Sequence, residues 1–106
     1  MAALVVVKKD DRREPFDRSK VRIGIQKACE KRPISSETIE GLVEQVEAAC
    51  RTREGTEVPS TVIGEMVMDK LRSLDKVAYI RFASVYRAFA DLQSFEEELH
   101  MLLKPR

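Results

Sequence analysis

Between Val6 and Lys20 the chain crowds charge of both signs into one short stretch. Lys8, Lys9, Arg12, Arg13, Arg18 and Lys20 alternate there with Asp10, Asp11, Glu14 and Asp17. Lysines and arginines at strand ends, beside the partly positive start of a helix, can surround a polyphosphate from several sides. Glu14 and Asp17 can then accept hydrogen bonds from a base amino group or a ribose hydroxyl, or hold a magnesium ion through water. A purely structural reading uses the same residues: edge strands carry Lys and Arg to block aggregation and pair them with surface carboxylates. Residue types and spacing leave both readings open.

Other groups capable of chemistry are weaker. Cys29 and Cys50 lie in separate helical patterns with no CxxC pair, and His100 is the only histidine, so a zinc site lacks ligands. Each cysteine reads as a small reduced core residue. Tyr79, Phe82, Tyr86 and Phe89, interleaved with Arg81 and Arg87, could form a platform for nucleic-acid bases. Their spacing instead assigns Phe82 and Phe89 to a core stripe and the two tyrosines to another face. Glu96, Glu97 and Glu98 point in different directions on a helix, which describes a solvated face rather than a metal cluster. With no G-x-x-x-x-G-K-[ST] loop and no base beside a nucleophile, the chain does not read as an enzyme.

The elements that would position the charged stretch follow from the pattern of the chain. Leu4 to Lys9 and Arg12 to Phe16, joined by Asp10-Asp11, predict a hairpin. Asp17 caps a first helix with Val21, Gly24, Ile25 and Ala28 on one stripe, ending by Pro33. Ser35 caps a second, with Ile39, Leu42, Val43, Val46, Ala49 and Cys50 inward and Gly55 as its C-terminal cap. Thr56-Glu57-Val58 can add a third strand, and Pro59-Ser60 open a third helix with Ile63, Met66, Val67, Leu71 and Leu74. Asp75 caps a fourth, striped by Ala78, Phe82, Val85, Phe89 and Leu92. It either runs on or breaks near Gln93-Ser94 into a fifth carrying Phe95, Leu99, Leu102 and Leu103. The expected fold is α+β and mostly α: a four- or five-helix bundle capped by a small, mostly antiparallel three-stranded sheet.

With 106 residues, 43% hydrophobic and 35% charged, the chain makes one domain with room for a shallow binding face and none for a deep enclosed active site. Its 19 Lys and Arg against 18 Asp and Glu give a net charge of +1, so an anion must find a local basic cluster. The longest apolar run, Leu4 to Val7, is far short of a membrane span and of a secretory signal, and the chain reads as cytoplasmic.

Beyond these patterns, the opening stretch resembles an ATP-cone, the nucleotide-sensing module of ribonucleotide reductase large subunits and of the NrdR transcriptional repressors. Arg13 to Phe16, Glu30 to Ser36 and Leu74 to Arg87 resemble NrdR in particular. The likeness spans nearly the whole chain. It implies an ATP-cone over residues 1–92 and a C-terminal helical tail over 93–106. It implies ATP and dATP as ligands, with Mg2+ arriving alongside the nucleotide. By matching positions, Val6, Lys8 and Lys9 belong to the first strand and turn that contact the nucleotide, with the lysines on phosphate. Glu14 and Asp17 face adenine and ribose, and Lys20 is a further phosphate ligand. Phe16 and Val21 give apolar contact to the base, Ser60 and Ile63 close the pocket, and Tyr86 is an additional contact.

The sequence departs from the cone pattern at Asp11, where many cones have glycine. It also starts at the first cone strand, whereas NrdR proteins carry a four-cysteine zinc ribbon before it that contacts DNA; this reads as a regulatory domain without the ribbon, so zinc and DNA would belong to that missing part. The implied function is a non-catalytic domain that senses adenine nucleotides for a repressor of ribonucleotide reductase genes, acting through a nucleotide-dependent homo-oligomer. The cone of a reductase large subunit and a ligand-free interaction bundle are the alternatives. The stripe of Phe95, Leu99, Leu102 and Leu103 either packs on a neighbouring subunit or folds back on its own bundle.

Overall fold

A computed structural model describes residues 3–105. Its order is β1 (Val5–Val7), β2 (Arg13–Pro15), α1 (Arg18–Ala28), α2 (Ser36–Arg51), β3 (Glu57–Pro59), α3 (Ser60–Leu74), α4 (Lys76–Tyr86) and α5 (Leu92–Leu103). Five helices carry the fold, and a three-stranded sheet of order β2-β1-β3 covers part of the bundle.

The sheet is mixed, where a mostly antiparallel one was expected. β1 pairs antiparallel with β2, Val6 opposite Glu14, but parallel with β3, Val6 opposite Val58. The chain leaves the hairpin, runs through α1 and α2, and re-enters the sheet in the direction of β1. Alternation of side chains puts Val6 and Val58 on the bundle side, where both are buried. Arg13 of β2 reaches over the central strand to Glu57 of β3 at 2.6 Å.

Helix starts follow cap chemistry. Asp17, Ser35, Asp75 and Asp91 each accept a backbone N–H of the first turn, from Ser19, Thr38, Ala78 and Ser94 at 2.9, 3.1, 2.9 and 2.8 Å. Helix ends differ more from expectation. The second helix stops at Thr52, whose hydroxyl donates to the Ala49 carbonyl at 3.0 Å; Gly55 turns the chain further on, with φ of +85°. The fourth helix stops at Tyr86, well before Gln93, because Ala88 takes a left-handed backbone (φ +47°) and Asp91 caps a new start.

The core sits between α1, α2, α3 and α4 and includes Ile25, Val43, Val46, Met68, Leu71, Ala78 and Ala83. Removing a side chain such as Leu71 down to alanine would cost about 2–5 kcal/mol. Both cysteines are buried and unpaired. The stripe expected on the fourth helix is redrawn, since Val85 and Leu92 are 84% and 85% exposed while Tyr79 is buried. The cause is local: α4 is wedged against both α1 and α3, so its enclosed face is wide enough to take consecutive positions, Ala78 and Tyr79. The C-terminal helix folds back on its own bundle: Leu102 is buried, Phe95 meets Phe89 edge to face at 5.4 Å, and Leu103 alone of the expected stripe stays exposed. No described helix is long and apolar enough to cross a membrane.

Candidate functional site: a cationic cleft under the hairpin

The hairpin, α1, α3 and α4 enclose a cleft of about 530 Å³, inside the ~300–1,000 Å³ range of small-molecule sites. Its shape depends on the hairpin loop. The Lys8 N–H donates to the Arg12 carbonyl at 2.8 Å and the Asp11 N–H to the Lys8 carbonyl at 2.9 Å, leaving Lys9, Asp10 and Asp11 as a three-residue loop. Such loops end on a left-handed residue, and Asp11 takes that place at φ +66°, where a glycine would carry no strain. Asp11 does not line the cleft, so the departure from glycine leaves the cavity free of that carboxylate.

All eleven residues singled out from the sequence line this one cleft: Val6, Lys8, Lys9, Glu14, Phe16, Asp17, Lys20, Val21, Ser60, Ile63 and Tyr86. Asp10, Arg12, Pro15, Gly24, Gly64, Val67 and Phe82 join them. Charge and apolar surface are separated by depth. Lys9, Arg12 and Lys20 are exposed, whereas Phe16, Val21, Ile63 and Phe82 are half-buried and Val6 and Val67 buried. A ligand with an apolar, flat part and a highly charged part matches that division.

The cations are not equivalent. Glu14 stands between two lysines, 3.2 Å from Lys20 and 3.9 Å from Lys8. Arg12 is folded against Asp10 at 2.7 Å. The backbone N–H and the guanidinium of Arg12 together hold the Asp10 carboxyl below the usual carboxylate range. Lys9 instead lies over the Tyr86 ring, 5.4 Å from its centroid. Asp17 has a second duty, since its Oδ1 caps α1 by accepting the Ser19 N–H.

Tyr86 is the best-fixed wall of the cleft. Its ring stacks on Phe82 with centroids 5.9 Å apart, and its hydroxyl donates to the Thr61 carbonyl at 2.9 Å. Burial, with Glu65 nearby, raises its phenol pKa above the ordinary value. The ring lies so close to α3 that a Cβ on Gly64 would fall 2.1 Å from it. Gly64 was not anticipated as a site residue, although a glycine inside a helix is itself a signal of close approach. Phe82 was assigned to the core by its spacing; it does pack there, and its other surface faces the cleft.

Two stretches that carried the family likeness meet elsewhere. Arg32 pairs with Asp75 at 3.0 Å, and Arg81 donates to the carbonyls of Ala28 and Glu30 at 3.3 and 2.6 Å, closing the end of α1 against the start of α4. They brace the scaffold behind the cleft. Among the described residues no cluster of three His, Cys, Asp or Glu side chains could hold a metal ion. The described residues thus offer no zinc site, and magnesium would depend on a ligand's phosphates for most of its coordination.

Comparison with known proteins gives the family. The ATP cone domain family matches residues 4–92. The transcriptional repressor NrdR of Syntrophus aciditrophicus is 64% identical over 94 residues, covering 89% of this chain and 59% of that protein. NrdR of Symbiobacterium thermophilum is 58% identical over 103 residues, 97% of this chain and 69% of the relative. NrdR of Geobacter sulfurreducens is 60% identical over 100 residues, 94% and 67%. The chain spans about three fifths to two thirds of the length of these curated relatives. By cone match, fold and identity, the chain belongs to the ATP-cone family, in the branch of the NrdR transcriptional repressors.

Proposed function

We propose that the cleft binds an adenine nucleoside triphosphate and that the domain is the nucleotide sensor of a repressor of ribonucleotide reductase genes. The observation that carries this reading is the separation within one cleft of exposed Lys9, Arg12 and Lys20 from an apolar interior built on Phe16, Val21 and Ile63. Lys8, Lys9 and Lys20 meet the phosphates, Phe16 and Val21 cover the base, and Ser60 and Ile63 close the far wall. Glu14 and Asp17 serve the adenine and ribose. Mg2+ enters with the triphosphate.

ATP and dATP differ by one hydroxyl, so discrimination requires a polar partner whose hydrogen bond is lost with dATP. The chosen nucleotide then sets the assembly of the homo-oligomer, because only a ligand with unequal affinity for two assemblies shifts their balance. DNA contact belongs to a zinc ribbon outside the described domain.

Titration calorimetry with ATP tests the binding step. Submicromolar to micromolar binding that weakens in Lys8→Ala, Lys9→Ala and Lys20→Ala is expected; unchanged affinity in all three overturns the site. Glu14→Gln separates two roles for that carboxylate. A changed ratio of ATP to dATP affinity supports recognition of the nucleoside. An equal gain for both nucleotides makes Glu14 only a counter-ion of the two lysines.

A further inference from the structure

Tyr86 and Arg87 are consecutive residues that face different parts of the molecule. Tyr86 is a wall of the cleft. Arg87 lies outside the cleft and joins two other helices: its guanidinium reaches Glu65 of α3 at 3.5 Å and Glu98 of α5 at 3.2 Å. Glu98 also accepts the hydroxyl of buried Tyr79, so its carboxylate is held from two points about two turns apart along α4. The chain then turns through Ala88 at φ +47° and enters α5.

The attachment of α5 is sparse. Besides Glu98, it rests on buried Leu102, half-buried Leu99, the edge-to-face contact of Phe95 with Phe89, and one bond from Arg72 to the Met101 carbonyl at 2.9 Å. Leu92, Met101 and Leu103 are exposed. A 12-residue helix is marginal without tertiary support. Elements with few buried contacts open locally at lower free energy than the core. Release of α5 therefore breaks fewer buried contacts than opening of the core, and Arg87 contributes only to the docked state.

We propose that α5 is the output element of the cleft: a nucleotide that packs against Tyr86 fixes the end of α4, and Arg87 passes this on by holding Glu98 and keeping α5 docked. The inference rests on the nucleotide reading of the cleft and adds to it a route out of the site. In the free protein Tyr86 is held by Phe82, the Thr61 carbonyl, close packing on Gly64 and the Lys9 ammonium; a base or phosphate in the cleft adds contacts on its remaining surface. Coupling of this kind is reciprocal, so docked α5 in turn favours the bound state.

Hydrogen–deuterium exchange of the full chain, with and without saturating ATP and Mg2+, reads α5 directly, while calorimetry on the same samples reads binding. ATP is expected to slow exchange across Leu92–Leu103 about fivefold or more, the low end of ordinary coupling. Arg87→Gln, which has no charge to pair with Glu98, is expected to lose that slowing and, by the same reciprocity, to weaken ATP binding by no more than about the fold-change in exchange it removes. Glu98→Gln is a second variant with the same expectation, and it keeps an acceptor for Tyr79. ATP that binds while α5 exchange in the unsubstituted protein stays the same or speeds up overturns the route and leaves the nucleotide reading intact. A slowing that survives both substitutions overturns it equally. No heat and no exchange change with ATP overturns the nucleotide reading, and the route with it.

Discussion

Lys9 is the cation in the cleft that a ligand can recruit at least cost. Lys8 and Lys20 share Glu14, and Arg12 is bound to Asp10, so each must give up an ion pair to meet a phosphate. Lys9 gives up a contact with the Tyr86 ring. Lys9→Ala should therefore lower triphosphate affinity more than Lys20→Ala, by about 10-fold or more, the equivalent of one charge-assisted hydrogen bond of ~1.5–3 kcal/mol. Calorimetry of the two variants ranks them, and the reverse order removes the argument. Gly64 is tested differently. A methyl group there collides with the Tyr86 ring, and the far end of Tyr86 must leave the Thr61 carbonyl. Gly64→Ala should keep its helix content, helped by alanine's higher propensity, yet bind ATP at least about tenfold more weakly. Asp11→Gly acts on the loop alone: relief of a left-handed aspartate, about 1–2 kcal/mol, exceeds the ~0.4–1 kcal/mol of added unfolded-state entropy. A rise of a few degrees in thermal midpoint with unchanged ATP affinity is expected.

At the scale of elements, α1 and α2 are joined on their outer side by charge. Arg18 reaches Glu40 at 3.1 Å and Glu47 at 2.9 Å, and Arg22 reaches Glu40 at 2.7 Å. Hydrogen bonds from Arg22 first, then Arg18, lower the Glu40 pKa from 4.5 to about 2. The sign follows directly. A carboxylate with a depressed folded-state pKa stabilises the fold fully above its unfolded value and loses that contribution as pH falls. The α1–α2 joint should weaken from about pH 4.5 down to about 2, and Glu40→Gln should flatten that part of the acid-unfolding curve followed by circular dichroism. Where α4 meets α5, Tyr79→Phe keeps the buried ring and removes the hydroxyl bonded to Glu98. A loss of about 1 kcal/mol in urea unfolding is expected.

These elements show what could be read in advance. Asp17, Ser35 and Asp75 announce their helices because a short polar acceptor before an apolar period has one good place to go. Lys8, Lys9, Glu14, Asp17 and Lys20 stand out by charge alone, while Val6, Phe16, Val21, Ser60, Ile63 and Tyr86 need the likeness to a family, and the convergence of all eleven depends on pairings that no local pattern encodes. The direction of β3 was illegible, since three residues cannot show which way a strand runs. Tyr79 was misplaced because a stripe drawn at fixed spacing assumes one neighbour, and α4 meets α1, α3 and α5. Gly64 and Arg12 were overlooked for a third reason: one acts by lacking a side chain, the other stood among so many cations that its place in the cleft had no separate sign.

For the whole molecule, the most exposed large apolar side chains are Val85 of α4 and Leu92, Met101 and Leu103 of α5, with Ile23, Leu74 and Val77 less exposed. The proposed oligomer needs such a surface. Sedimentation of the chain alone, with ATP and with dATP should give masses that differ between nucleotides; a monomer in all three conditions would remove assembly as the readout of the cleft. Truncation after Leu92 now carries a different expectation from that of a free tail. It uncovers Tyr79 and leaves Arg87 with Glu65 alone, so the shortened protein should melt lower as well as assemble differently.

The parallel pairing of β1 with β3 has a consequence for synthesis. Val5–Val7 are made before their second partner, Glu57–Pro59, which is translated about 50 residues later. At ~5–20 residues per second that is about 3–10 s during which a run of three valines has one bare edge. A nascent chain in that interval is exposed to pairing with its neighbours on the same message. Lys8, Lys9, Arg12 and Arg13 flank the bare strand throughout and repel another copy of themselves. The two readings of the opening stretch thus apply at different times in the life of the chain: the cations guard an edge until β3 arrives, and three of them line a cleft afterwards.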